Sequence, residues 1–385
     1  MIIWADGTVT GLRTEWPGAV ELTVARRNFT DEAGASPRQV PALAYTALMA
    51  APKVGDRVLL NVAALDRGLG TGGYALVIAV LDANGRVVAQ PPQPAGHLVK
   101  ARYLPLQAMV AGADEQGSRH HELLREADSI SGLPVVVADL HSALAPILLA
   151  IHHDRPATRV IYVMTDHGAL PLAFSRSVAE LRSAGLLDAT VTVGQAFGGD
   201  LEAVTVHSGL LAARLALHAD IAVVSQGPGN LGTGTRWGFS GVAAGEAMNA
   251  AGILGGRPVG ALRISGVDPR PRHFGLSHHS LTAYGRVALV EADLAVPDLA
   301  GAGQLSGIAG LSDVAKLAET VLRGAASLTR HRQVIVPISG LDQALRDSPV
   351  PLSTMGRDLD DDPAYFLGSA AAGRHAANLL VTETS

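Results

Sequence analysis

The chain has 385 residues, room for two or three domains at about 150 residues each. Hydrophobic residues make up 48% and charged residues 17%, with a formal net charge of −5. That balance excludes a disordered chain and argues against a nucleic-acid partner, and the absence of cysteine excludes disulfides, Cys-ligated metal and thiol catalysis.

From the N-terminus, the run Met1-Ile2-Ile3-Trp4-Ala5-Asp6-Gly7 breaks too soon for a signal peptide. No uninterrupted apolar stretch reaches the roughly 18 residues of a membrane span. A cytoplasmic protein with no membrane partner is therefore expected. Lysine occurs only at Lys53, Lys100 and Lys316, while Arg, Ala and Gly abound. This is the usage of a GC-rich bacterial genome, so glycines count for less as loop signals.

Residues 1–96 read as a small all-β domain, a barrel or sandwich. Short runs at Thr8-Val9-Thr10, Val20–Val24, Arg57–Val62 and Tyr74–Val80 alternate with turns at Asp6-Gly7, Gly55-Asp56 and Asn84-Gly85. Pro91–Gly96 reads as a linker.

Residues 97–385 change period and read as an α/β domain. Apolar strands are predicted at Pro134–Ala138, Arg159–Met164, Ala189–Val193, Ile221–Ser225 and Pro258–Arg263. Helices are predicted between them at Ala143–Ile151, Pro171–Gly185, Ser208–His218 and Gly241–Gly252. The alternation implies a mostly parallel, Rossmann-like sheet. Leu311–Gly324 and Pro363–Leu380 read as later helices, Gln333–Ile338 as a strand and Arg357–Pro363 as a solvated turn.

In such sheets ligands bind beyond the C-terminal strand ends. Polar or Gly-rich segments follow all five strands. The segment Ser225–Arg236 carries four glycines, two threonines and an arginine. Gly227, Gly229, Asn230, Gly232, Thr233, Gly234, Thr235 and Arg236 read as an anion cradle of backbone N–H groups, hydroxyls and a guanidinium. It matches neither the phosphate-loop nor the dinucleotide motif, and a tight structural loop is the competing reading. Arg263, Arg270, Arg272 and His273 form a second polar cluster, suited to clamping a carboxylate or phosphate. Asp166, His278 and His279 are the acid–base candidates. Asp139, His141, Asp166 and His278 compose an alternative N/O set for a divalent metal.

The residues also resemble a known family. Met164-Thr165-Asp166 with Ala169-Leu170-Pro171, Ala196–Val204, Gly227-Pro228-Gly229 with Gly232–Thr235, Gly238–Gly241, Arg263-Ile264-Ser265 and Ser277–Ser280 carry the likeness. The chain is similar, over nearly its full length, to an actinobacterial and Firmicutes family catalogued as a domain of unknown function. The resemblance implies membership and supplies no reaction, cofactor or catalytic residue.

Three functions stay open at this point. The first is an enzyme or enzyme-like protein binding a small phosphorylated or carboxylated molecule. The second is a metal-dependent hydrolase, and the third a non-catalytic ligand sensor or scaffold. The low charge content is also compatible with a homo-oligomer.

Overall fold

The computed structural model describes residues 2–28, 37–88, 96–104, 106–300 and 314–380. The chain divides into two compact units, residues 1–95 and 96–385.

The first unit is a closed five-stranded barrel: β1 (Trp4–Trp16), β2 (Ala19–Asn28), β3 (Arg38–Tyr45), β4 (Arg57–Asn61) and β5 (Ala75–Leu81), in the order β1-β2-β3-β5-β4. Val9, Val20, Leu22, Val24, Val58, Leu60 and Val77 point inward at period two and fill it. Closure removes the unpaired edges that so short a sheet would otherwise present. Sequence reading had no strand at β3, where Pro41 and two alanines weaken the β signal. Of the expected linker, residues 91–95 lie outside the described residues.

The second unit holds eight parallel strands. They are β6 (Pro134–Val137), β7 (Val160–Thr165), β8 (Ala189–Thr192), β9 (Leu201–Glu202), β10 (Ile221–Gln226), β11 (Arg257–Ala261), β12 (Asp293–Pro297) and β13 (Arg332–Val336). Their order is β9-β8-β7-β10-β6-β11-β12-β13. β6, β7, β8 and β10 are buried at every position, which is why they read as continuous apolar runs. Helix α1 (Leu144–Asp154) packs with Ala371, Ala372 and Ala376 of the last helix against Val136, Tyr162, Val223 and Ala261. Ala244, Ala247, Met248 and Ala251 of the Ala243–Ile253 helix pack with Val135, Val137, Ala222 and Val224, whose side chains alternate to the other face.

The chain leaves β6 towards β7 and leaves β10 towards β11. β6 and β10 are neighbours, so their carboxyl ends form a topological switch point. All five polar segments do reach one edge of the sheet, because every strand runs the same way.

Some boundaries differ from expectation. Pro171–Gly185 is a 3-10 turn at Leu172–Phe174 followed by α2 (Arg176–Ser183), capped by Ser175. Ser208–His218 is α3 (Val206–Leu211), capped by Thr205 and ending in a π turn at Ala212–Ala216. Below, the Ala243–Ile253 helix is α4. Elements with no counterpart in the reading include β9, α5 (His278–Thr282), extended by a π turn at Ala283–Val287, β12 and the short helix at Leu341–Arg346. The later helices are α6 (Val314–Ala326), α7 (Leu341–Arg346) and α8 (Pro363–Asn378). Residues 311–313 of the expected helix before α6 lie outside the described residues. The Arg357–Pro363 turn is not wholly solvated. Asp362 is fully buried and accepts hydrogen bonds from Ser265 Oγ at 2.6 Å and the Gly266 amide at 3.1 Å.

Candidate functional site

At the switch point the loop after β6 delivers Asp139, which is buried. Its backbone oxygen accepts from Gln226 Nε2 at 2.7 Å, and Gln226 Nε2 also reaches Asn230 Oδ1 at 2.9 Å. The turn leading to α4 comes close only because residue 241 is glycine. A Cβ there would stand 2.8 Å from the Asp139 oxygen. The crevice is nearly filled, with about 10 Å³ left between Asp139, Gln226 and Gly241.

The Asp139 carboxylate meets two groups carried by the segment after β11. His279 Nδ1 lies 3.2 Å from Asp139 Oδ2 and Arg263 Nη1 lies 3.6 Å from it. Burial alone would raise this carboxyl, but His279 and Arg263 outweigh burial and hold it below its ordinary value. Arg263 Nη1 is also 2.8 Å from His279 Nδ1. One ring nitrogen cannot accept from Arg263 and donate to Asp139 together, so the two compete for it. Phe239 lies flat on the His279 ring, 3.7 Å between centroids.

His273 and His278 complete the cluster. Ser277 caps α5 through the His279 amide at 3.2 Å, and the same hydroxyl bonds His273 Nδ1 at 2.8 Å. Burial, then the positive Arg263 and Arg270, pull His273 down to about 3. Burial, then His279 and Arg272, pull His278 down to about 4. Both imidazoles are therefore neutral near pH 7.

Beside His278 opens a cavity of about 640 Å³. His278, Thr282 and Arg286 line it from successive turns of α5 and its π extension, and Gly234, Arg236 and Arg272 line it from the two loops. Among the described residues, Arg236, Arg272 and Arg286 have no ion-pair partner. Tyr284, on the opposite side of the same turn, anchors it by sharing its one hydroxyl proton between the carbonyls of Val137 and Ala261, at 2.9 and 3.0 Å.

Several sequence candidates are engaged by contacts within the protein. Gly227 is buried against the loop after β7, and the Gly229 carbonyl touches the same loop, while the Gly229 α-carbon itself faces open space. A Cβ on Gly168 would stand 2.3 Å from the Gly227 oxygen, and one on Gly227 2.6 Å from the Ala169 oxygen. Asn230 Oδ1 is taken by Gln226 and Ser240. Gly232 pairs with Phe239 in a short hairpin. Thr233 and Thr235 bond each other at 3.2 Å, and Thr235 accepts from the Gly238 amide, so their hydroxyls brace the hairpin. Arg270 is spent on Asp268 through two contacts of 2.9 and 2.7 Å, which hold the Asp268 carboxyl far below its ordinary value. Arg263 is buried against Asp139 and His279 rather than facing the cavity.

The four residues of the expected metal set do not meet. His141 bonds Tyr162 Oη at 3.1 Å and Ser175 Oγ at 2.7 Å, which occupies both ring nitrogens, and burial pulls it to about 4. Asp166 turns to the Gln195 amide at 2.9 Å and to His167 at 3.3 Å, away from His278 and His279. Among the described residues, the His and carboxylate group able to hold an ion is His273, His278 and His279.

Arg286 and Lys100 were missed. Arg286 follows His278 and Thr282 at intervals of four, a signal visible once the helix is carried past Ser280. Lys100 is buried beside a second cavity of about 460 Å³ lined by Tyr103 and Gln195. It donates to the carbonyls of Gly194 at 2.7 Å and Ala203 at 3.0 Å and pairs with Glu202 at 3.5 Å. Burial lowers Lys100 and raises Glu202.

A family model described as a protein of unknown function, DUF3866, matches residues 41–373. No curated protein and no solved structure matches the chain. No helix among the described residues is long and apolar enough to cross a membrane.

Proposed function

Since the chain belongs to the DUF3866 family, whose description states no activity, its function has to be read from the site, and we propose that the cavity beside His278 binds a small phosphorylated or carboxylated molecule. One observation carries this reading: three guanidiniums with no carboxylate partner among the described residues line one cavity. Arginines on a solvated surface usually find acidic neighbours, as Arg270 does with Asp268. Arg236, Arg272 and Arg286 keep their donors free for an external anion, and each charged hydrogen bond contributes about 1.5–3 kcal/mol. A volume of about 640 Å³ suits a small metabolite rather than a bare ion. Phosphorylated metabolites belong to the cytoplasm, and on that ligand class alone we place the protein there.

The test is a thermal-shift panel of phosphorylated and carboxylated metabolites on the full chain. A ligand at 100 times its Kd adds about 2.7 kcal/mol of stability. The reading expects at least one such ligand, with the shift reduced in Arg272→Ala and in Arg286→Ala. A flat panel, or a shift that both variants keep, refutes it.

A further inference from the structure

The histidine cluster has chemistry that the arginine cavity does not use. One ring nitrogen from each of His273, His278 and His279 lies within 4.8 Å of the others. The ring centroids are 4.5, 4.8 and 5.0 Å apart. The rings are neighbours, yet no hydrogen bond joins one to another. His278 Nε2 is buried with no partner, which ordinarily costs about 1–3 kcal/mol.

The outer nitrogens are held by oxygens. His273 Nδ1 faces Ser277 Oγ, and His279 Nδ1 faces the Asp139 carboxylate. This is how metal-binding histidines are oriented, with Nδ1 fixed by a hydroxyl or carboxylate and Nε2 turned to the ion. One serine does two jobs, capping α5 and aiming His273 at its first turn.

We propose that His273, His278 and His279 form a binding site for a divalent transition metal of the zinc type, with its open position towards the arginine cavity. Three imidazoles and no sulfur suit zinc, cobalt or copper, and a three-histidine set leaves a fourth position free. With metal–nitrogen distances of about 2.0–2.1 Å, tetrahedral donors stand roughly 3.4 Å apart, so loading draws the rings together. A metal on His279 Nε2 requires the ring proton on Nδ1. That N–H donates to the Asp139 carboxylate, and Arg263 gives up its contact with Nδ1. Of the carboxylates beside the cluster, Asp139 is already opposed by Arg263 and Asp268 by Arg270, so the ion brings excess positive charge. An anion among Arg236, Arg272 and Arg286 would restore the balance.

The site stands without the anion reading, and it is tested with metal alone. The full chain is stripped with chelator and titrated with Co²⁺, read by visible absorption and by elemental analysis. One equivalent per chain with the strong absorption of a four-coordinate site is expected. His278→Ala should weaken it by more than the roughly 10–100-fold that loss of an outer hydrogen bond costs. His278→Gln serves the same purpose if the alanine variant does not fold. Substoichiometric uptake by the wild type overturns the site, and so does equal uptake by wild type and a folded His278 variant. Either failure leaves the arginine cavity to its own metabolite panel.

Discussion

Two cavities open at the strand ends of the α/β unit, and each has a cation in its wall. In the cavity of about 460 Å³ the buried cation is Lys100, whose ammonium is consumed by two carbonyls and Glu202, and a single exposed arginine, Arg102, stands beside it. In the cavity of about 640 Å³ the cations are Arg236, Arg272 and Arg286, with no carboxylate beside them among the described residues. The difference teaches how to tell a structural charge from a functional one. A buried charge that is fully bonded holds loops in place, whereas an exposed cluster left unneutralised stores repulsion that a ligand relieves.

The largest effect that would break this comparison lies at the first cavity. Lys100→Met leaves Glu202 buried without its counter-charge, and truncating one partner of a buried pair costs about 3–5 kcal/mol. Denaturant unfolding should show that loss, while anion binding at the other cavity stays intact. A loss below about 1 kcal/mol would mean that Lys100 is not the fully engaged anchor described here.

Acid sensitivity comes next. His141 is flanked by the neutral Tyr162 and Ser175, and burial holds it at about 4, below the ordinary value of 6.5. Between those values the unfolded chain binds the extra proton, so stability falls as pH drops from about 6.5 to 4. His141→Gln should flatten that portion of the stability curve. An unchanged slope would show that other groups carry it.

The smallest effect is expected in the hairpin. Thr233→Ala removes bonds to Thr235 and Gly238, all on the surface, and should cost less than about 1 kcal/mol. Its effect on ligand affinity should be smaller than that of Arg272→Ala. If the two lose equally, the threonine is a ligand donor and not a brace.

The strands were legible because β6, β7 and β10 are buried on both faces and written in Val and Ile. β12 was not, since Asp-Leu-Ala-Val-Pro is short and begins and ends on residues poor in strands. Within the site, Arg236 and Arg272 were visible as unusual charges in Gly- and Pro-rich loops. Arg270 looked equivalent, yet Asp268 two positions earlier neutralises it, a pairing that only the folded turn reveals. At Gly227 the expected cradle is filled by another loop, for a related reason. Sequence shows that a glycine permits close approach but not whether a ligand or another loop arrives. Asp139 was singled out as a metal ligand, whereas it faces His279 and Arg263. Lys100 gave no signal, being one lysine at the edge of a linker.

The most direct measurement is isothermal titration of pyrophosphate into the full chain and into Arg272→Ala/Arg286→Ala, both metal-free. The account predicts one site per chain in the wild type, weakened by added salt, with no measurable heat in the double variant. Equal affinity in the two proteins, or no binding by the wild type at millimolar ligand, would contradict it.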